Sequence, residues 1–205
     1  SDDTGALAWF RLSDSLRPEA ATTIRALQAR GLKTWLLSGD RSQAPIEMGA
    51  VLGMDHVAGS MLPEDKQQAV RYLQAQGAIV VMVGDGVNDA PGLGQAHLSI
   101  AMASGTDLAQ TTADALLLRD DLRALVTAHS QSVATQRIIR QNLGWALAYN
   151  LAVLPPAALG LVPPWLAAIG MSLSSLVVVG NALRLRKTSS VSQATPEAST
   201  AVVMP

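Results

Sequence analysis

The 205-residue chain contains no cysteine, so its own residues form neither disulfide bonds nor thiolate metal sites. Aromatic residues make up only 3% of the sequence, and the formal net charge is −1. This near-neutral balance gives no reason to expect nucleic acid as a partner. No signal peptide opens the chain, and Ser1 is not an initiator Met. We therefore expect the chain to begin inside a longer protein.

Charge is also missing from one long stretch, because no Asp, Glu, Lys, Arg or His lies between Arg140 and Arg184. A membrane helix needs roughly 20 apolar residues, so this stretch has room for two. We predict spans over residues 142–162 and 164–183, joined by a tight turn at Pro163. The lipid bilayer is then one partner of the chain.

Basic residues flank this predicted hairpin on both sides, and they are Arg137, Arg140, Arg184, Arg186 and Lys187. The positive-inside rule places both of its ends in the cytoplasm. Trp145 and Trp165 lie near span ends, where indole rings favour the membrane interface. Residues 121–140 are predicted to form a stalk helix, and the Ser- and Thr-rich residues 188–205 a disordered tail.

Residues 1–120 alternate short apolar, β-branched runs with helical stretches, which predicts a doubly wound parallel α/β sheet. The predicted strands cover residues 6–12, 33–37, 56–58, 78–83 and 98–101. Helices are predicted at 17–29 and 63–76, each with a proline near its first turn and a glycine after its last.

A glycine-rich loop follows the apolar strand that ends at Val83, and it reads Gly-Asp-Gly-Val-Asn-Asp-Ala-Pro over residues 84–91. Ligands of open α/β sheets bind at the carboxyl ends of strands, where this loop falls. Gly84 and Gly86 permit tight turns that leave Asp85 and Asp89 as two carboxylates in one crevice. Carboxylates together with phosphate and water are the ligands that Mg²⁺ usually takes.

Two further elements fit a phosphate site. The strand predicted at residues 33–37 is followed by Ser38-Gly39-Asp40, which offers a hydroxyl and backbone N–H groups, and Lys66 lies in the first turn of a predicted helix. Taken singly, the first could be a capped turn, Lys66 a surface charge and the glycine loop a structural turn. The hydroxyl loop comes first along the chain, the lysine second and the paired aspartates third, each at a strand end or helix start of one sheet. This order favours a phosphate site.

This ordered set resembles the haloacid dehalogenase superfamily, and residues 84–91 resemble the hinge motif of its P-type ATPases. Residues 14–20 are similar to the segment by which those pumps re-enter the phosphorylation domain. The resemblance implies that Ser38, with Gly39 and Asp40, binds the phosphoryl group of ATP and that Lys66 neutralises it. It also implies that Asp85 holds Mg²⁺ with support from Asn88 and Asp89.

The family's phosphorylated loop, Asp-Lys-Thr-Gly-Thr, is absent from this sequence. Covalent phosphoryl transfer cannot proceed without its nucleophile. We predict that this chain alone shows no ATPase activity. Two smaller departures are Ser38, where the family usually has Thr, and Arg41, where it often has Asn; Ser keeps the hydroxyl.

The predicted hairpin contains polar residues that would lie near the middle of the membrane. Asn150, beside Tyr149, lies in the middle of the first span, where an unpaired carboxamide is costly. Met171 and Ser175 share one face of the second span. Counted from the turn at Pro163, Asn150 and Ser175 lie at nearly one depth, so we expect a shared site. A thioether without carboxylates favours a soft ion such as Cu(I), although a methionine in a membrane helix is more often packing.

Pro155 and Pro156 remove backbone donors from the first span, and the carbonyl groups freed in this way could line the same site. Residues 142–150, 171–175 and 181–185 resemble the last two helices of copper(I)-transporting heavy-metal ATPases. The resemblance implies that Tyr149, Asn150, Met171 and Ser175 bind transported Cu(I) in a pump of the bacterial inner membrane. Its implied partners are the remainder of the ATPase chain and a copper chaperone.

Two alternatives stay open. A membrane-anchored phosphatase of the same superfamily would need an Asp-x-Asp nucleophile, and the early acidic cluster at Asp2 and Asp3 lacks a preceding apolar strand. A non-catalytic membrane module would bind a partner through its hairpin. The histidines, His56, His97 and His129, have no ligand spacing, and we assign them no metal role.

Overall fold

The computed structural model describes residues 16–185. The strand predicted at 6–12, the tail at 188–205, and the basic residues Arg186 and Lys187 lie outside this range, as does the start of the 14–20 segment. The chain divides into two compact units with the boundary between Val126 and Thr127. Each unit is built differently.

The first unit alternates helices with short strands, which confirms the predicted α/β class. Its elements are α1 (Ala20–Gln28), β1 (Trp35–Leu37), α2 (Ala44–Leu52), β2 (His56–Ala58), α3 (Pro63–Ala75), β3 (Val81–Gly84), a 3-10 turn (Val87–Asp89), α4 (Ala90–Gln95), β4 (Leu98–Ala101), α5 (Asp107–Thr112) and β5 (Ala115–Leu116).

All strand pairs in the described residues are parallel, as predicted. β1 pairs with β2, and Trp35 lies opposite His56 with their rings 4.1 Å apart. β3, β4 and β5 form a second sheet with β4 in the middle. Among residues 16–185, β1 and β3 therefore each have one strand neighbour and one unpaired edge.

The core of the first unit lies beneath β3. Val70 of α3, Met82 of β3, Leu93 of α4 and Ala109 of α5 are buried together. A β-carbon on Gly92 would lie 2.7 Å from the Met82 sulfur, so the missing side chain lets α4 approach β3 closely. This packing gives the loop after β3 a rigid base.

Two of the helices agree with the sequence prediction, since α1 and α3 begin and end close to the predicted bounds. α2, α4 and α5 were not predicted. α2 carries readable signals, because Pro45 lies in its first turn and Gly53 ends it with a φ of 69°. α4 and α5 have six residues each, too few for a periodic pattern.

The second unit consists of helices. α6 (Arg123–Ala158) joins the predicted stalk and most of the first predicted span into one helix, and α7 (Pro164–Ala182) follows it. Of the described helices, α7 alone has the length and hydropathy to cross a membrane. α6 does not reach this hydropathy because it ends at Ala158, before the apolar residues 159–162 of the predicted first span, and because its part of that span contains Asn142 and Asn150.

Candidate functional site

A cavity of about 940 Å³ lies between the unpaired edges of β1 and β3. Its walls include Trp35, Val81 and Val83 from the strands. Five of the seven predicted catalytic residues line it, and they are Ser38, Gly39, Lys66, Asp85 and Asp89. The structure thus brings the three predicted loops together at the carboxyl ends of β1 and β3.

The Ser38 loop is held by backbone hydrogen bonds to the last residue of β2 and to the loop after it. Ser38 N–H donates to the Ala58 carbonyl oxygen at 2.8 Å, and Met61 N–H donates to the Ser38 carbonyl oxygen at 3.0 Å. The Ser38 hydroxyl oxygen accepts from Asp40 N–H at 3.2 Å. Because the oxygen is the acceptor there, the hydroxyl proton remains available to donate to a phosphoryl oxygen.

Asp40 and Asn88 do not contribute to the lining of this cavity within residues 16–185. The Asp40 carboxylate instead accepts from Ser42 N–H at 2.8 Å and from the Ser42 hydroxyl at 2.9 Å. The Ser42 N–H bond, followed by that of the hydroxyl, holds the pKa of Asp40 below its usual range. Its side chain therefore fixes the turn that leads into α2.

Lys66 is buried in α3 and pairs with Asp89. Its Nζ atom lies 2.6 Å from Asp89 Oδ1, and the two side chains are 9% and 15% exposed. At this distance the bond is charge-assisted and short. The sequence could not indicate the pair, because Lys66 alone is compatible with a surface charge.

Asp89 supports the glycine loop with its second oxygen. Asp89 Oδ2 accepts from the N–H groups of Asp85 and Gly86, both at 3.3 Å. A β-carbon on Gly84 would lie 2.8 Å from Asp89 Cβ, so only glycine leaves room for this arrangement. Asp89 is therefore engaged on both oxygens, whereas sequence reasoning placed it beside Asp85 as a second carboxylate in the crevice.

The Asp85 side chain is exposed, and no hydrogen bond joins its carboxylate to another residue in the part of the chain described here. Magnesium usually takes one or two protein carboxylates and completes its shell with phosphate and water. One free carboxylate at the cavity fits such a partial site. Residues 16–185 contain no cluster of three His, Cys, Asp or Glu side chains that would form a complete one.

Sequence reasoning missed the loop after β4, residues 102–106. Thr106 N–H in this loop donates to the Asp85 carbonyl oxygen at 2.8 Å. The available signal was Gly105, which follows a predicted strand of the same sheet and so falls at the same edge as the other loops.

In the second unit, α6 and α7 pack through small and polar residues. Trp145 Nε1 donates to Ser174 Oγ at 3.1 Å, and a β-carbon on Gly170 would lie 2.6 Å from the Tyr149 hydroxyl. Near the other end, Asn181 Nδ2 donates to Asn142 Oδ1 at 2.8 Å. We call these contacts the hairpin seam.

The register of the seam corrects the expected depths. Tyr149 lies opposite Gly170, and Trp145 lies opposite Ser174. In this register Asn150 lies next to the level of Gly170 and not at the level of Ser175. Counting from Pro163 failed because α6 ends at Ala158 and the residues that follow are not helical. Asn150, Met171 and Ser175 are all exposed, and Met171 is 65% exposed.

Pro155 and Pro156 do not end α6, which continues to Ala158. Their missing N–H groups leave the carbonyls of Leu151 and Ala152 without the usual donor one turn later. The turn after the helix contains Gly160, which adopts a φ of 72° and donates to the Ala157 carbonyl oxygen at 3.0 Å, so the helix does not continue. The two prolines thus free carbonyl groups without breaking the helix.

Residues 4–97 match the model of the haloacid dehalogenase-like hydrolase family. The chain is 45% identical over 195 residues to the probable copper-transporting ATPase SynA of Synechococcus sp., covering 91% of this chain and 25% of that protein. It is 43% identical over 176 residues to the copper-exporting P-type ATPase of Staphylococcus saprophyticus, covering 86% and 22%.

The fold is similar to that of a zinc-transporting PIB-type ATPase in its E2.Pi state, with a TM-score of 0.79 and 43% identity. This match covers 84% of the chain and 28% of that protein. The chain therefore spans about a quarter of the length of these relatives.

Proposed function

Because this chain is a relative of the metal-transporting P-type ATPases and spans about a quarter of their length, we propose that it forms part of an ATP-driven copper(I) export pump. In this proposal the first unit contributes half of a phosphorylation site, and the second contributes part of the ion pathway. The intact protein would form an aspartyl phosphate on a residue outside this chain.

The observation that carries the proposal is the convergence of Ser38, Lys66 and Asp85 on one cavity. The Ser38 hydroxyl and the Gly39 N–H offer donors to the phosphoryl group, and buried Lys66 supplies positive charge beside it. Asp85 would hold Mg²⁺, which supplies charge neutralisation at the phosphate when bound. Asp89 keeps the ammonium of Lys66 and the glycine loop in place.

The edges of β1 and β3 that are unpaired within residues 16–185 support a partner strand from the remainder of the same ATPase. A strand inserted between them would pair on both sides and deliver its carboxyl-end residue to the Ser38 and Asp85 loops. A nucleophilic aspartate at that position would complete the site. This arrangement favours the pump over a free-standing phosphatase, which would have to supply the nucleophile itself.

Copper(I) as the transported ion is supported by the chemistry of the second unit. Met171 offers a thioether, and Tyr149, Asn150 and Ser175 offer neutral oxygen atoms, while no carboxylate lies between Arg140 and Arg184. Zn²⁺ is borderline-soft and readily takes carboxylate oxygen. With both chain segments outside the hairpin basic, the α/β unit is proposed to face the cytoplasm.

Phosphorylation of the intact ATPase with radiolabelled ATP tests the first half of the proposal. Asp85→Ala should abolish metal-stimulated ATP hydrolysis, and the isolated 205-residue chain should release no phosphate. Gly94→Ala is the matched control in the same unit, because its β-carbon would meet only the Thr112 methyl at 3.6 Å. Full hydrolysis by Asp85→Ala would refute the assignment.

Stimulation by different ions tests the second half. The intact pump should hydrolyse ATP faster with Cu(I) than with Zn²⁺, and Met171→Ala should reduce the Cu(I) response while sparing nucleotide binding. Ser172→Ala is the control on the same helix, because its hydroxyl donates within α7 to the Ala168 carbonyl. Stimulation by Zn²⁺ alone would contradict the copper proposal.

A further inference from the structure

The loop after β4 encloses the backbone of Asp85 together with Asp89. The Asp85 carbonyl oxygen accepts from Thr106 N–H at 2.8 Å, and its N–H donates to Asp89 Oδ2 at 3.3 Å. Both backbone polar groups of Asp85 are therefore bonded to neighbouring loops. Its carboxylate, which bonds to nothing else in residues 16–185, extends from a backbone that is fixed on both sides.

Gly105 brings the loop this close. A β-carbon at Gly105 would lie 2.9 Å from the Met102 carbonyl oxygen, 3.1 Å from the Asp85 carbonyl oxygen and 3.2 Å from Asp85 Cα. All three are backbone atoms, so none can move aside as a flexible side chain would. Gly105 does not occupy the left-handed region. Glycine is therefore needed here for space and not for its dihedral freedom.

The loop is itself held from behind. Gln110 Nε2 donates to the carbonyl oxygens of Ala103 and Gly105, at 3.0 and 2.9 Å. Ser104 N–H donates to Asp120 Oδ1 at 3.1 Å, and this bond is the main cause of a pKa of Asp120 below its usual range. Because Gln110 and Asp120 hold the loop in place, its hydrogen bond to Asp85 restrains the backbone of the aspartate.

We propose that Gly105 and Thr106 are positioning residues that set the Asp85 carboxylate for a divalent cation. The inference rests on the proposed function, in which Asp85 binds Mg²⁺. A ligand whose backbone is already fixed loses less conformational freedom on binding. Residues that orient a metal ligand typically change metal affinity by about 10-fold to 100-fold when they are altered.

Mn²⁺ binding to the purified intact ATPase in detergent, measured by electron paramagnetic resonance with Mg²⁺ as competitor, tests the proposal without ATP turnover. Gly105→Ala should weaken Mn²⁺ binding by about 10-fold or more. Its melting temperature should fall below that of Gly94→Ala, the glycine with an ordinary contact, because the backbone around Gly105 must shift; binding is therefore compared at a temperature where both variants are folded. Asp85→Asn measures how much binding depends on the aspartate itself.

A second pair of variants breaks the contact between Thr106 and Asp85. Thr106 has a φ of −67°, which proline adopts without dihedral strain, so Thr106→Pro removes the N–H that bonds to Asp85 and places a ring carbon against the Asp85 carbonyl oxygen, which releases the loop from Asp85. Thr106→Ala removes the same side chain but keeps the N–H. Weaker Mn²⁺ binding in the proline variant than in the alanine variant supports the proposal even if Gly105→Ala does not fold.

The results with these variants distinguish the positioning role of Gly105 and Thr106 from Mg²⁺ binding by Asp85. Wild-type Mn²⁺ affinity in Gly105→Ala, or equal affinities in the two Thr106 variants, overturns the positioning role while leaving Asp85 as the ligand. Wild-type affinity in Asp85→Asn contradicts the proposed function itself and removes the basis of this inference with it. Loss of binding in Asp85→Asn together with the two expected reductions supports both.

Discussion

The loops around Asp85 and the hairpin seam between α6 and α7 hold their polar residues in different ways. In the first region backbone N–H groups, a buried ion pair and closely packed glycines hold Lys66, Asp89 and the backbone of Asp85 from several directions. In the seam, single contacts join the two helices, and Met171 stays exposed. The loops around Asp85 are therefore held by several contacts within the first unit, whereas the polar residues of the seam have few contacts within residues 16–185.

The largest expected difference between the regions comes from breaking the Lys66–Asp89 pair. Asp89→Ala leaves a buried ammonium without a partner, which should lower the free energy of unfolding of the first unit by about 3–5 kcal/mol. Urea unfolding followed by hydrogen exchange at the amides of β3 and β4 measures this cost.

Another ion pair of the first unit provides the control. Lys33 Nζ lies 3.9 Å from Asp55 Oδ1, and the Lys33 side chain is 78% exposed. Lys33→Met should cost less than about 1 kcal/mol. If Asp89→Ala costs no more than Lys33→Met, the loops around Asp85 do not depend on their buried pair.

In the seam, Gly170→Ala should cost about 1–3 kcal/mol, because its β-carbon would meet the Tyr149 hydroxyl. Tyr149→Phe removes that oxygen and leaves the nearest ring carbon at an ordinary 3.6 Å. The double variant should therefore recover most of the loss in a thermal unfolding measurement in detergent. Gly180→Ala, with no neighbour within 4 Å, is the control on the same helix. Failure of the double variant to recover would show that the contact does not set helix packing.

The sequence predicted much of the region around Asp85 because each of its loops follows a strand or opens a helix. β2 and β4 occur over the predicted residues. β1 begins later than predicted because the Thr34 hydroxyl and N–H donate to the Asp55 carboxylate instead of joining the strand. The parallel arrangement of the strands predicted that the loops would lie at one edge of the sheet. It did not predict which residues of the loops would contact one another.

The remaining features depend on tertiary contacts that no local pattern contains. Lys66 and Asp89 are brought together by the packing of α3 on α4, over the core around Leu93. The depth of Asn150 depends on where α6 ends, which Gly160 decides and a count of residues from Pro163 does not. Local sequence patterns do not determine such features, because they depend on residues that are distant in the chain or on the exact end of a helix.

Low pH should also affect the stability of the two regions differently. Hydrogen bonds from Thr34 to Asp55 and from Ser99 to Asp114 lower the pKa values of both carboxyls, with the Thr34 N–H bond and the Ser99 hydroxyl bond contributing most. The stability that they give is fully present above the ordinary aspartate pKa of about 3.9 and is lost as pH falls through the lowered values.

Unfolding at pH 5 and pH 3 tests this difference. The urea midpoint of the first unit should fall at pH 3, and it should fall less in a variant that combines Asp55→Asn with Asp114→Asn. The hairpin has no carboxylate between Arg140 and Arg184, so its thermal unfolding should not change over the same range. An equal acid response in both regions would contradict the assignment of the effect to these two aspartates.

The smallest expected effect is that of the Trp145–Ser174 hydrogen bond. Hydrogen bonds between membrane helices average about 0.6 kcal/mol, because the separated helices also find partners for their polar groups. Ser174→Ala should therefore lower hairpin stability by about that amount, and Ser172→Ala, whose hydroxyl bonds within its own helix, should not. Thermal unfolding of both variants in one detergent gives the difference. A loss above about 2 kcal/mol for Ser174→Ala would mean that its polar contacts hold the seam as firmly as the loops around Asp85 are held, without any neighbouring helix.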